Sequence, residues 1–311
     1  MALTARPAGR SAAGARSAHL ADPEVLGRIQ NLELLARTVV DGFIQGLHRS
    51  PYLGLSIDFA EHRAYMPGDD IRNLDWKLYA RTDRFYVKRF EAETNANLVV
   101  VLDTSASMGF ASGSLSKLRY GAILGACLAT LSRRQGDRVG GALVGGELRD
   151  YVPAAAGHLE LVLAALDRAG PEGGGSFAYA VDAVAARLRR RGILVVISDF
   201  YEETERLGAS LKRLATGGHD VIAFHVLDGA ELDLPYDRPT RFEDLESGAQ
   251  RQIVPEEFRD RYQQLMSAHT ERLREELTGG RIDYELVRTD RPIGEALFQY
   301  LTARQRFMRL R

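Results

Sequence analysis

One cysteine and one tryptophan are found in 311 residues. With Cys127 alone, no disulfide can form within the chain, and the small apolar run Gly125-Ala126-Cys127-Leu128-Ala129 points to a buried thiol. No apolar stretch reaches the roughly 20 residues of a membrane-spanning helix, because Asp or Gly breaks each strand-like run. Neither charge is in surplus: 41 basic residues stand against 42 acidic ones, a net charge of -1, which gives no electrostatic case for nucleic acid. No Gly-x-x-x-x-Gly-Lys-Ser/Thr loop is present, and Gly140-Gly141 and Gly145-Gly146 lack the context of a nucleotide fingerprint. The seven histidines never pair at helical ligand spacing, which disfavours a zinc hydrolase, and His225 inside a strand-like run reads as a core residue.

What is present is an ordinary globular composition, 45% hydrophobic and 27% charged, enough for one large domain or two small ones. A soluble, cytoplasmic protein is expected. Residues 1–22 read as a disordered tail; the first twenty are rich in Ala, Arg, Ser and Gly and lack any acid, a composition that an organellar transit peptide shares. Residues 23–95 read as an N-terminal helix, over 24–38, followed by a β-rich region of short strands and turns from about 43.

From 96 to 311 strands alternate with helices. The segment 115–133 is apolar nearly all round and predicts a central buried helix; 137–152 predicts a hairpin through Gly145-Gly146. Helices are expected over 158–167, 177–190 and 207–215, a buried strand at 221–226, and a polar hairpin excursion at about 232–254 turning at Ser247-Gly248. A helix ended by Gly279-Gly280, a strand through Ile282, Tyr284 and Leu286, and a closing helix complete the chain. The terminal Arg304, Arg306, Arg309 and Arg311 suit the dipole of that last helix, with a docking patch as the alternative.

The most informative stretch is Val99-Val100-Val101-Leu102-Asp103-Thr104-Ser105-Ala106-Ser107-Met108, an apolar strand that ends in Asp-x-Ser-x-Ser. A second run, Ile193-Leu194-Val195-Val196-Ile197-Ser198-Asp199, also closes on an aspartate. Unalternating apolar runs read as central parallel strands, and ligands of open α/β sheets bind at the carboxyl ends of such strands. Asp103 and Asp199 are therefore expected on one edge. Carboxylate and hydroxyl oxygens with retained waters suit Mg²⁺, or Mn²⁺, and Ser176 after Gly173-Gly174-Gly175 could add a third hydroxyl. The competing reading is that Asp or Ser after a strand caps the next helix. An enzymatic alternative makes Asp103 a phosphoryl-accepting nucleophile helped by Lys117.

At these residues the chain resembles the von Willebrand factor A fold and its metal-ion-dependent adhesion site. The resemblance implies a metal set of Asp103, Ser105 and Ser107 from the first loop, Ser176 from the second and Asp199 from the third. Serine stands at 176 where that family's pattern has threonine. The expected fold class is α/β, von Willebrand A-like, a mostly parallel sheet flanked by helices, with the N-terminal β-rich region beside it.

Upstream, Phe59-Ala60-Glu61-His62-Arg63-Ala64-Tyr65-Met66-Pro67-Gly68-Asp69-Asp70-Ile71-Arg72-Asn73-Leu74-Asp75-Trp76-Lys77, with Ala80-Arg81-Thr82, resembles the signature of the domain-of-unknown-function fifty-eight family. That resemblance implies partnership with a MoxR-type AAA+ ATPase in chaperone-like maturation of client proteins, a binding role rather than an enzymatic one. From the residues themselves, the interleaved charges read as a salt-bridge lattice or as a charged docking face anchored by Trp76. In the latter case binding through the Trp76 region would need no metal.

Overall fold

The computed structural model describes residues 22–29, 31–49, 61–65, 78, 79, 82, 84–89 and 96–309, except 174 and 247. Of the tail expected over 1–22, residues 1–21 lie outside the described residues, as do the Trp76 stretch and Arg311; Asp22 is described and caps the helix that starts at Pro23.

The run Asn97–Asp103 forms β3, which pairs in parallel with β4 (Arg138–Val144) on one side and β6 (Ile193–Ser198) on the other. Outward from β4 lies antiparallel β5 (Leu148–Ala155); outward from β6 lie β7 (Asp220–Leu227) and β10 (Asp283–Arg288), both parallel. The order is β10-β7-β6-β3-β4-β5. Counting only these strands along the chain, this is the doubly wound 3-2-1-4-5-6 order, whose direction reverses between β3 and β6. The sheet is mostly parallel, as expected.

Alternation along β3 divides the core. Leu98, Val100 and Leu102 face a layer made by α1 (Pro23–Leu26), α2 (Leu32–Arg49), α3 (Lys117–Arg134), α4 (Leu159–Arg168) and α9 (Gly294–Arg309). Val99 and Val101 face α5 (Phe177–Ala185), α6 (Thr204–Thr216) and α8 (Pro255–Gly279). The central helix α3 presses on β3 through its glycines: a Cβ at Gly121 would stand 2.9 Å from Leu102 Cδ1, and one at Gly125 2.8 Å from Val100 Cγ1. Cys127 is buried in this layer, as expected.

Some expectations are corrected. The N-terminal helix is broken after Leu26 and restarts at Leu32, where Asn31 Oδ1 accepts the Leu34 N–H at 2.8 Å; it then runs to Arg49 because Val39, Val40, Phe43 and Ile44 continue the apolar stripe. The helix expected to Arg190 stops at Ala185. Arg304 serves neither a dipole nor a docking patch: it is buried, 2.5 Å from Asp137 Oδ2 and 3.1 Å from the Tyr300 hydroxyl, tying α9 to the turn before β4. The β-rich region is represented by an antiparallel pair, β1 (Glu61–Ala64) with β2 (Tyr86–Arg89). The excursion after α7 (Gly229–Asp233) is a hairpin of β8 (Thr240–Glu243) and β9 (Gln250–Ile253).

Candidate metal centre

The parallel register pairs Leu102 with Ile197, so Asp103 stands level with Ser198 at the carboxyl edge. Asp103 is 2% exposed. Its Oδ1 accepts the Ser105 N–H at 2.8 Å, closing the turn after the strand, and its Oδ2 accepts the Ser198 hydroxyl at 2.5 Å. The chain then enters a 3₁₀ turn, Ala106–Gly109, which brings Ser107 Oγ to 3.1 Å from Ser105 Oγ. Two hydroxyls of the Asp-x-Ser-x-Ser motif therefore converge beside the carboxylate.

Asp199 follows Ser198 and is 1% exposed. Its neighbour Phe200 has φ 51°, a left-handed conformation that costs a bulky residue on the order of 1–3 kcal/mol. Burial of that ring and a 2.9 Å bond from the Phe200 N–H to Ser198 Oγ hold the turn. Asp199 Oδ2 accepts from Lys117 Nζ at 2.8 Å, and the same ammonium donates to Glu231 Oε1 at 2.6 Å. Lys117 is fully buried, with Nζ 4.8 Å from the Tyr201 ring centroid.

Ser176 precedes α5, and its hydroxyl donates to the Glu202 carboxylate, whose other oxygen accepts the Ala178 N–H at 2.9 Å. The carboxylate thereby caps the helix start. Among the described residues, Ser176 makes no hydrogen bond to Asp103, Ser105 or Ser107, although its loop runs beside theirs. The Glu172 N–H donates to the Thr104 carbonyl at 2.7 Å, and Gly175 is pressed so tightly on Gly146 that a Cβ would lie 2.3 Å from Gly146 Cα.

The model of the family described as "Protein of unknown function DUF58" matches residues 61–272, more than half of the chain. The chain belongs to the DUF58 family. An uncharacterized protein of Mycobacterium tuberculosis is 30% identical over 291 residues, covering 92% of this chain and 91% of the relative; an uncharacterized protein of Mycobacterium bovis matches equally. Among solved structures, a conserved hypothetical protein, BatB, from Bacteroides thetaiotaomicron is 16% identical with a TM-score of 0.46, over 68% of this chain and 99% of its own. An aerotolerance-related membrane protein from Bacteroides fragilis is 19% identical with a TM-score of 0.47, over 66% and 97%. The fold of this DUF58 chain rests on its own sheet order.

In this DUF58 chain, burial and the charge of Asp199 push the Asp103 carboxyl up to about 7, against the pull of its bonds from Ser198 and Ser105. Such a carboxylate gains from a nearby cation. Among the described residues no group of three or more His, Cys, Asp or Glu could hold a metal ion. The donors of the motif are all hard oxygens, a chemistry that suits a divalent cation that keeps several waters and not a soft metal. Asp103, Ser105 and Ser107 are drawn together, with Asp199 in the adjoining turn; Ser176 is drawn to Glu202.

The motif did not reveal Ser198, Glu231 or Glu202. Ser198 was accessible from register alone, because aligning the two apolar strands by their ends sets it beside Asp103. Lys117, the helper that the enzymatic alternative gave to Asp103, is paired with Asp199 and Glu231. Among the described residues, no helix is long and apolar enough to cross a membrane.

Proposed function

We propose that this protein is a metal-dependent protein-binding module that recognises an acidic side chain on a partner. Asp103, Ser105, Ser107 and Ser176, with Asp199 in support, would hold Mg²⁺ or Mn²⁺, and the ion would leave a coordination position for the partner's carboxylate. Binding, rather than turnover, is its work. The observation that carries this reading is the convergence of the Ser105 and Ser107 hydroxyls beside a buried, hydrogen-bonded Asp103 at the reversal point of the sheet. The partner we propose is a cytoplasmic MoxR-type AAA+ ATPase engaged in chaperone-like maturation of client proteins.

In Mg²⁺, an immobilised MoxR-type ATPase is expected to capture the wild-type protein and not Asp103→Ala. Capture unchanged in excess chelator would refute metal-dependent recognition. One observation favours a second reading: the Lys117 ammonium already neutralises Asp199, so the same loops could bind without a metal. In that case Asp103→Ala would leave capture intact.

A further inference from the structure

The β8–β9 hairpin reaches the first loop of the site. Its stalk is fixed on α8, where Arg259 donates to the Leu234 and Tyr236 carbonyls at 3.1 Å each and to Asp237 at 2.7 Å. The Tyr236 and Phe242 rings pack edge to face with centroids 5.5 Å apart. At the tip, the Asp244 N–H donates to the Ala249 carbonyl at 2.9 Å, and Asp244 Oδ1 accepts the Glu246 N–H at 2.9 Å. The Gly248 N–H donates to the Asp244 carbonyl at 2.7 Å, and Gly248 adopts φ 70°. This turn chemistry puts Glu246 at the apex with its side chain free to reach outward. Glu246 Oε1 accepts the N–H of Ser107, the second serine of the motif, at 2.9 Å across 139 positions of sequence.

That contact brings together what the proposed recognition requires, a carboxylate carried on a projecting turn and a donor on the metal-holding loop. Leu245 beside it is 46% exposed. The tip is also linked to the third loop. The hairpin leaves from α7, whose Glu231 shares Lys117 with Asp199 and whose Glu231 carbonyl accepts the Tyr262 hydroxyl at 2.7 Å.

We infer that Glu246 is a built-in competitor, seated at Ser107 where the partner's acidic side chain docks, so that the hairpin must swing away before a partner can bind. This rests on the proposed recognition of an acidic residue and adds how it is controlled. A tethered group competes at an effective concentration on the order of millimolar, so a contact with a Kd of about 0.1 mM masks the seat about tenfold.

The test pairs two measurements on the full chain and its Glu246→Ala variant, which removes the acceptor, in Mg²⁺. Amide hydrogen exchange at Ser107 is expected to quicken in the variant. A cyclised peptide of residues 240–253 is expected to bind the variant about tenfold more tightly than the wild type, through relief of the tethered competitor. The same peptide carrying Glu246→Ala is expected to bind neither. Unchanged exchange at Ser107 would overturn the inference, and so would faster exchange without tighter peptide binding. Failure of the metal reading would show separately, as Mg²⁺ binding that survives Asp103→Ala, while the exchange at Ser107 needs no metal and reports on the hairpin alone.

Discussion

Lys117→Met removes an ammonium that touches two carboxylates, Asp199 at 2.8 Å and Glu231 at 2.6 Å, while keeping most of the side chain's volume. The lysine side chain is wholly buried, and those of Asp199 and Glu231 are 2% and 15% exposed. Breaking a buried pair by deleting one partner costs about 3–5 kcal/mol, because a charge is left buried without compensation. The near-isosteric swap adds less than about 1.5 kcal/mol of packing cost. Glu231 moderates the loss: burial raises its pKa against the pull of Lys117, so removing the lysine shifts it further up and eases its protonation. The expected loss is therefore about 3 kcal/mol at neutral pH in chelator. It would be read as a shift of the urea midpoint, with the slope unchanged, in unfolding followed by circular dichroism. Millimolar Mg²⁺ is expected to restore part of it, since a ligand at 100 times its Kd stabilises by about 2.7 kcal/mol. In the double variant Lys117→Met/Asp199→Asn the two losses should fall well short of additivity. A loss below about 1 kcal/mol would refute the buried triad as the organiser of the third loop.

Two further perturbations read other parts of the structure. Asp103 is pushed up to about 7 and His225, buried against Tyr284, is held down to about 3. As pH falls from about 7 to about 4 the folded chain gains a proton at Asp103 that the unfolded chain lacks, which adds stability; from about 6.5 to about 3 the unfolded chain protonates its counterpart of His225 first, which removes it. The two trends oppose each other between about pH 4 and 6.5, so Asp103→Asn should make stability in chelator fall more steeply on acidification, by about 1.4 kcal/mol per pH unit. Parallel pH profiles for the two proteins would rule out the raised Asp103. Gly125→Ala should cost about 1 kcal/mol in calorimetric unfolding, because about 1–3 kcal/mol of overpacking against Val100 exceeds the roughly 1 kcal/mol gain in helix propensity. A stabilised variant would contradict the close seating of α3 on β3.

The middle of the sheet was legible in the sequence because its strands are buried on both faces, so short unbroken runs such as Val99-Val100-Val101-Leu102, bounded by Asp and Gly and rich in β-branched residues, read as strands. Helix ends were less legible. Stopping α5 at Ala185 depends on how neighbouring layers pack, whereas the break after Leu26 is marked by Gly27 at the C-cap and Asn31 before the restart, signals that the unbroken apolar stripe outweighed. Of the site, the motif gave Asp103, Ser105 and Ser107, because their chemistry lies in one loop. Ser198 needed strand register, Lys117 and Glu231 needed the third dimension, and Arg304 looked like a surface cation until Asp137, 167 positions earlier, was brought beneath it. The hairpin tip read as a polar excursion, and nothing in its sequence says that Glu246 reaches Ser107.

The most direct test of the central claim is a calorimetric titration of Mg²⁺ into chelator-stripped protein and into its Asp103→Ala variant at pH 8, above the raised carboxyl of Asp103. Saturable binding of one ion by the wild type, lost in Asp103→Ala with its thermal unfolding still cooperative, is the expected result. Absence of binding in the wild type, or equal binding in both, would contradict a metal centre at Asp103, Ser105 and Ser107.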